Sequence, residues 1–329
     1  MQVVQLQSIG RIAIVSRLRP RPGPGEVLVR IEAAGICGTD RHLFKGEFPC
    51  TPPVTLGHEF CGIVESGGEG VTIPEGTRVT CDPNIACGTC AACLSGKVNL
   101  CARLVAIGIH RDGGFAEYAL IPAHRAFALP ADLDPLHGAL AEPLACCLHG
   151  VDRGGPRLGQ RVVVLGGGVI GLLTVQLCAQ AGAEVMLVTR NAGKRMLAMR
   201  MGAAVAAPGV AEAAALWPQG AGLVMECAGV AETVQAAPRL AARGGRAVIV
   251  GVLPAGKTVA IEPFDLLVRE VDLLTAFLNP FTQGRATRLI AEGRLQLDPL
   301  ISRVIPLTEA PAAIATPARP GEVKVMVRP

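Results

Sequence analysis

Six residues near the middle of the chain, Gly166-Gly167-Gly168-Val169-Ile170-Gly171, restrict the folds open to it more than any other feature. They fit G-x-G-x-x-G, follow the valine-rich run 161–165, and open a stretch in which Ile170, Leu173 and Leu177 share one helical face. Strand, glycine turn and helix in that order make a cradle for a dinucleotide. The first glycine permits the tight turn, the second lets a pyrophosphate approach the backbone, and the third lets helix and strand pack closely. Helix N-terminal amides then bind the phosphates. The surroundings agree: strands are expected at 161–165, 184–188, 222–225, 246–250 and 272–277, with helices from 169, through 194–201 and at 211–216. Such β-α alternation predicts a Rossmann-type, doubly wound parallel sheet in an α/β domain spanning 151–278.

The remainder reads differently. Residues 1–150 alternate short strands, near 27–31, 63–64, 78–81 and 118–121, with Gly and Pro breaks, and predict a β-rich domain. The segment 279–329, with a helix near 283–292 and a strand at 323–327, is too short to stand alone and is expected to return to that first domain. A length of 329 residues suits two domains. The net charge of +4 comes without any block of Lys or Arg, so neither a nucleic-acid nor an anionic-membrane partner is expected. The uncharged run 162–183 is long enough to cross a bilayer, but the four glycines near its start and its two glutamines predict a buried strand, turn and helix. Residues 1–10 lack the pattern of an export signal, and a reducing cytoplasm is the expected compartment.

About 20 residues past the glycine motif, an acidic side chain would bond a ribose 2′-hydroxyl, whereas arginine suits a 2′-phosphate. Here the strand ends in Thr189-Arg190-Asn191, followed by Lys194 and Arg195, with no Asp or Glu at that strand end. The expected cofactor-binding residues are therefore Gly166, Gly168, Val169, Ile170, Gly171, Arg190, Lys194 and Arg195, and NADP(H) is expected over NAD(H). The alternative makes Arg190 a stacking partner for adenine and the other two cations a solvated helix face.

Twelve cysteines are too many for chance, and their spacing points to metal rather than to disulfides. Cys87-x2-Cys90-x2-Cys93-x7-Cys101 supplies four thiolates, enough for a closed tetrahedral zinc site that braces a loop and has no open position for chemistry. An iron–sulfur cluster also takes four cysteines, but this spacing matches neither common ferredoxin run. A separate set, Cys37-Gly38-Thr39-Asp40-Arg41-His42 with Gly57-His58-Glu59, combines the thiol, imidazole and carboxylate that a catalytic zinc accepts.

Taken with Ala141-Glu142-Pro143-Leu144 and His149-Gly150, these motifs in this order resemble the zinc-containing medium-chain alcohol dehydrogenase family, notably its polyol (sorbitol-like) and threonine dehydrogenase branches, over essentially the whole length. The resemblance implies a GroES-like catalytic domain beside the Rossmann domain, and one catalytic and one structural zinc. It implies Cys37 and His58 as catalytic-zinc ligands, with Glu59 and Glu142 as carboxylates that bind the metal directly, through water or in alternation. Thr39 and His42 match the family's proton relay, and Asp40 is placed to fix the His58 tautomer. The implied reaction is reversible hydride transfer between a secondary alcohol, such as a polyol, and NAD(P). A threonine or sugar-alcohol-phosphate dehydrogenase is the alternative, since Arg41 and Lys45 could meet an anion. A non-catalytic nucleotide-binding regulator is a remote one. The implied assembly is a homodimer or homotetramer.

Overall fold

The computed structural model describes all 329 residues, which divide into two compact units. One comprises residues 1–145, 280–319 and 324–329; the other comprises 146–279 and 320–323. The boundary expected after residue 150 falls inside the helix Ala141–Gly154, which is shared out after Ala145. Four residues near the C-terminus, 320–323, join the second unit, which the sequence did not foretell.

The first unit is built of antiparallel strands, save for Ile301–Pro306 and Lys324–Arg328, which pair with each other in parallel. A hairpin of Gln2–Ser8 and Arg11–Ser16 takes Val54–Thr55 as a third strand. The larger sheet runs, in spatial order, Ala126–Ala128, Arg78–Cys81, Glu59–Gly67, Glu26–Ile36, Lys324–Arg328 and Ile301–Pro306, with Tyr118–Pro122 also pairing to Glu26–Ile36. The pairing of Lys324–Arg328 with Glu26–Ile36 shows how the C-terminal segment returns to this unit. Alternate residues of these strands enter one core around Leu6, Val29, Ile31, Phe60, Phe115 and Ile121.

The second unit is a six-stranded parallel sheet in the order Val205–Ala207, Glu184–Val188, Arg161–Leu165, Ala221–Glu226, Ala241–Ile249 and Asp272–Thr275. In chain order this is 3-2-1-4-5-6, the doubly wound arrangement, whose switch point lies between the strands ending at Leu165 and Glu226. The helix Val169–Gln180 is buried along Leu172 to Cys178 and not only on the face of Ile170, Leu173 and Leu177. A helix apolar all round belongs in an interior, and the 162–183 run is thereby spent on strand, turn and helix. No helix is long and apolar enough to cross a membrane. Helices Ala231–Leu240 and Pro263–Arg269 were not anticipated. Pro143 and Pro263 stand in first turns, where proline costs no hydrogen bond, but Pro238 lies inside its helix and masks the pattern.

Candidate metal and nucleotide sites

Strand register assembles the first site. Antiparallel pairing sets Gly35 opposite Glu59, while Ile36 and Gly35 face Val325 and Met326 on the other side. Cys37 follows the central strand, His58 immediately precedes its neighbour, and Lys324 opens the third. Cys37 is also the N-cap of the helix Gly38–Lys45, and its N–H donates to Asp40 Oδ2 at 2.8 Å. Ligand atoms of Cys37, His58 and Glu59 all lie within 4.8 Å of one another.

The charge balance here is decisive. Asp40, His58, Glu59 and Glu142 are all buried. Burial opposes a charge on His58, yet Asp40, Cys37 and Glu142 overcome that and lift its pKa well above the ordinary imidazole range. His58 Nδ1 stands 3.6 Å from Asp40 Oδ1, and both atoms are buried without a hydrogen-bond partner. A shift of a few tenths of an ångström would close that bond and leave Nε2 for a metal. A half-buried thiol beside a buried imidazole and carboxylate, in an excess of negative charge, suits a divalent cation such as zinc.

One cation inside the cluster has no counterpart in the motifs. Lys324 is 2% exposed and forms an ion pair with Glu59, itself 1% exposed. Burial disfavours its charge, but Glu59, Cys37 and Asp40 together raise its pKa. A Cβ on Gly35 would collide with the Glu59 carboxylate and stand 2.8 Å from Lys324 Cε, so glycine is the residue that lets the pair close. The only hint in the sequence is a lysine opening the apolar run 325–327. Nearby, Thr39 Oγ1 is 3.6 Å from Cys37 Sγ, and His42 Nδ1 is 2.7 Å from Glu47 Oε2. Arg41 is occupied: its guanidinium donates to the carbonyls of Thr316 and Ala313, at the end of the helix Ala310–Ala315.

The four thiols of the 87–101 loop also converge within 4.8 Å. Sulfurs on a tetrahedron of zinc–sulfur bonds of ~2.3 Å would lie ~3.8 Å apart; Cys90 and Cys93 are separated by 3.5 Å and Cys90 and Cys101 by 3.9 Å. Backbone N–H groups of Cys87 and Arg103 point at Cys101 Sγ, each at 3.3 Å. Bonds from the N–H groups of Thr89 and Cys90 hold the Cys87 thiol well below its usual range. Cys90 is lowered as well, while desolvation and the neighbouring Cys90 push Cys93 up to about 12, so two of the sulfurs are held toward thiolate and a divalent cation would be needed to draw the proton from Cys93.

In the second unit the glycine turn has the geometry of a cradle. A Cβ on Gly171 would collide with the Gly166 carbonyl, and one on Gly166 would stand 2.9 Å from Ala228, so both approaches need glycine. At Gly168, by contrast, a Cβ would meet no protein atom within 4 Å, which leaves room for a phosphate. Across the switch point, Glu226 Oε1 accepts the N–H groups of Ala228 and Gly229 and the Thr233 hydroxyl at 2.8, 2.9 and 2.8 Å, shaping the turn after that strand. Motif reading passed over this residue. At the end of the strand Glu184–Val188, Arg190 is exposed and Lys194 half-buried. Arg195 Nη1 donates to the carbonyls of Thr189 and Arg190, both at 2.8 Å, so Arg195 first of all holds the turn that presents Arg190.

Comparison with known proteins gives the family. The family model described as alcohol dehydrogenase GroES-like domain matches residues 23–131, and that described as zinc-binding dehydrogenase matches 169–292. A 2-dehydro-3-deoxy-L-galactonate 5-dehydrogenase of Pseudoalteromonas atlantica is 35% identical, over 89% of this chain and 88% of that protein. Sorbitol dehydrogenase of Gallus gallus is 34% identical, over 99% of this chain and 95% of that protein. A crystal structure of a zinc-binding dehydrogenase from Sinorhizobium meliloti 1021 bound to NADP superposes with a TM-score of 0.97 at 56% identity, covering 100% of this chain and 99% of that one.

Proposed function

The chain belongs to the zinc-containing medium-chain alcohol dehydrogenases, in their polyol branch, and on that premise we propose that it moves hydride reversibly between a secondary hydroxyl of a polyol or sugar alcohol and NADP. The observation that carries this reading is the convergence of Cys37, His58 and Glu59 at two adjoining strand ends, in an anion-rich setting. We assign the catalytic zinc to Cys37 and His58, with Glu59 and Glu142 as its carboxylates, and a structural zinc to Cys87, Cys90, Cys93 and Cys101. When bound, the catalytic zinc supplies a Lewis acid that lowers the pKa of a substrate hydroxyl toward neutrality. Asp40 fixes the His58 ring. Glu47 engages His42 at Nδ1, so Nε2 is the nitrogen that receives a proton handed on from the Thr39 hydroxyl.

NADP is supported by the lack of an acid at the 184–188 strand end and by Arg190 and Lys194 beside it. Arg190→Ala is expected to raise the KM for NADP about tenfold while leaving that for NAD nearly unchanged, as for a lost charge-assisted bond to a 2′-phosphate. Equal effects on both cofactors would remove the assignment.

For the substrate, a panel of polyols, sugar-alcohol phosphates and threonine should be assayed with each cofactor. Because Arg41 is engaged by backbone carbonyls, unphosphorylated polyols are expected to turn over best; activity confined to phosphorylated substrates would refute this. Metal analysis of the same preparation is expected to give about two zinc per chain, the sum of one closed and one open site. A homodimer or homotetramer is supported by the outer position of the strand Asp272–Thr275 in its sheet and by Phe264 and Leu267, 71% and 73% exposed, on the helix before it. We place the enzyme in a reducing cytoplasm, where a four-thiolate loop keeps its metal.

A further inference from the structure

Residues 320–323 are the part of the C-terminal segment that packs with the nucleotide unit, immediately before the strand Lys324–Arg328. A Cβ on Gly321 would stand 3.8 Å from the Asn191 side-chain amide, at the end of the strand Glu184–Val188. Asn191 caps the helix Ala192–Arg200, its Oδ1 accepting the Lys194 N–H at 3.0 Å. Lys194 Cβ in turn lies 3.2 Å from where a Cβ on Gly167 would stand. The tail, the helix cap and the glycine turn therefore share one small region. Glu322 brings a carboxylate into it: half-burial pushes the Lys194 pKa down, and the charge of Glu322 pulls it back up.

We propose that Glu322 is a cofactor-selectivity residue, a carboxylate delivered by the C-terminal segment to the subsite of the adenosine ribose, where it competes for Lys194 with the 2′-phosphate. The inference rests on the NADP reading above. A 2′-phosphate brings close to two negative charges and must draw Lys194 from Glu322, leaving two anions near each other. A 2′-hydroxyl makes no such demand and can donate to a carboxylate, as it does to an acid at the usual strand end. Glu322 thus restrains NADP and favours NAD, supplying from a distant part of the chain the acid missing after Val188.

The test is direct titration of NADPH and NADH into the zinc-loaded enzyme, followed by nicotinamide fluorescence. Glu322→Gln is expected to shift the Kd ratio about two- to fivefold toward NADPH, the scale of a partly exposed ion pair. The same substitution in a Lys194→Met background is expected to shift it no further. An unchanged ratio, equal shifts for both nucleotides, or a full shift persisting without Lys194 would overturn the proposal, the last by exposing a general field effect. Arg190→Ala, titrated alongside, separates the two readings. Should it weaken both nucleotides alike, the NADP assignment fails, while a Lys194-dependent effect of Glu322 would still stand.

Discussion

Replacing Cys37 by serine is expected to remove one zinc per chain and nearly all turnover while cofactor binding survives. A Lewis acid contributes several kcal/mol of transition-state stabilisation, so kcat/KM should fall by about 10³-fold or more. The nucleotide cradle, at residues 166–171 of the other unit, owes nothing to Cys37, and the Kd for NADPH should stay within about twofold of wild type, as for removal of an interaction confined to the chemical step. His58→Ala should behave alike. Cys93→Ser provides the contrast, because its thiol belongs to the closed set: here the zinc count also falls by one, but the first loss is thermal stability. Zinc measured by plasma emission, thermal denaturation and initial rates on the three variants distinguish the sites. A Cys37→Ser enzyme that kept two zincs, or kept its rate, would refute the assignment of the catalytic metal.

What could be read in the sequence depended on how local each signal was. The cradle is contiguous, and its strand, turn and helix were found at Arg161–Leu165 and Val169–Gln180 without the fold. The thiolate loop lies within fifteen residues, so spacing alone suggested the convergence that the structure displays. Cys37 and His58 were paired only by family resemblance; the physical reason they meet is the register that sets Gly35 opposite Glu59. Lys324 was illegible for the same reason taken further, since its neighbour depends on pairing between the last strand and the residues before Cys37. Arg195 shows the opposite difficulty. Its position suggested a ligand contact, but side-chain bonds to the Thr189 and Arg190 carbonyls cannot be read from spacing. Glu226 ends an apolar strand and looks like an ordinary solvated terminus until its turn closes over it.

The second large effect concerns that buried lysine. Lys324→Met leaves Glu59 charged, desolvated and without its partner, and breaking such a pair from one side costs about 3–5 kcal/mol. The loss should depend on metal. With zinc stripped by a chelator, Cys37, Asp40, Glu59 and Glu142 crowd together, and Lys324 and a protonated His58 are the cations among them. Zinc in the site would offset part of the same excess. The gap in denaturation midpoint between zinc-loaded and chelated protein should therefore widen in Lys324→Met, and its zinc should resist chelators longer than in wild type. Adding Glu59→Gln removes the orphaned charge and should recover much of the stability, because burying a neutral amide is far less costly than burying an unpaired carboxylate. The double variant should not recover turnover, since it lacks a carboxylate assigned to the metal. A Lys324→Met protein as stable as wild type, or one whose midpoint gap is unchanged, would show that this pair does not balance the charge of the site.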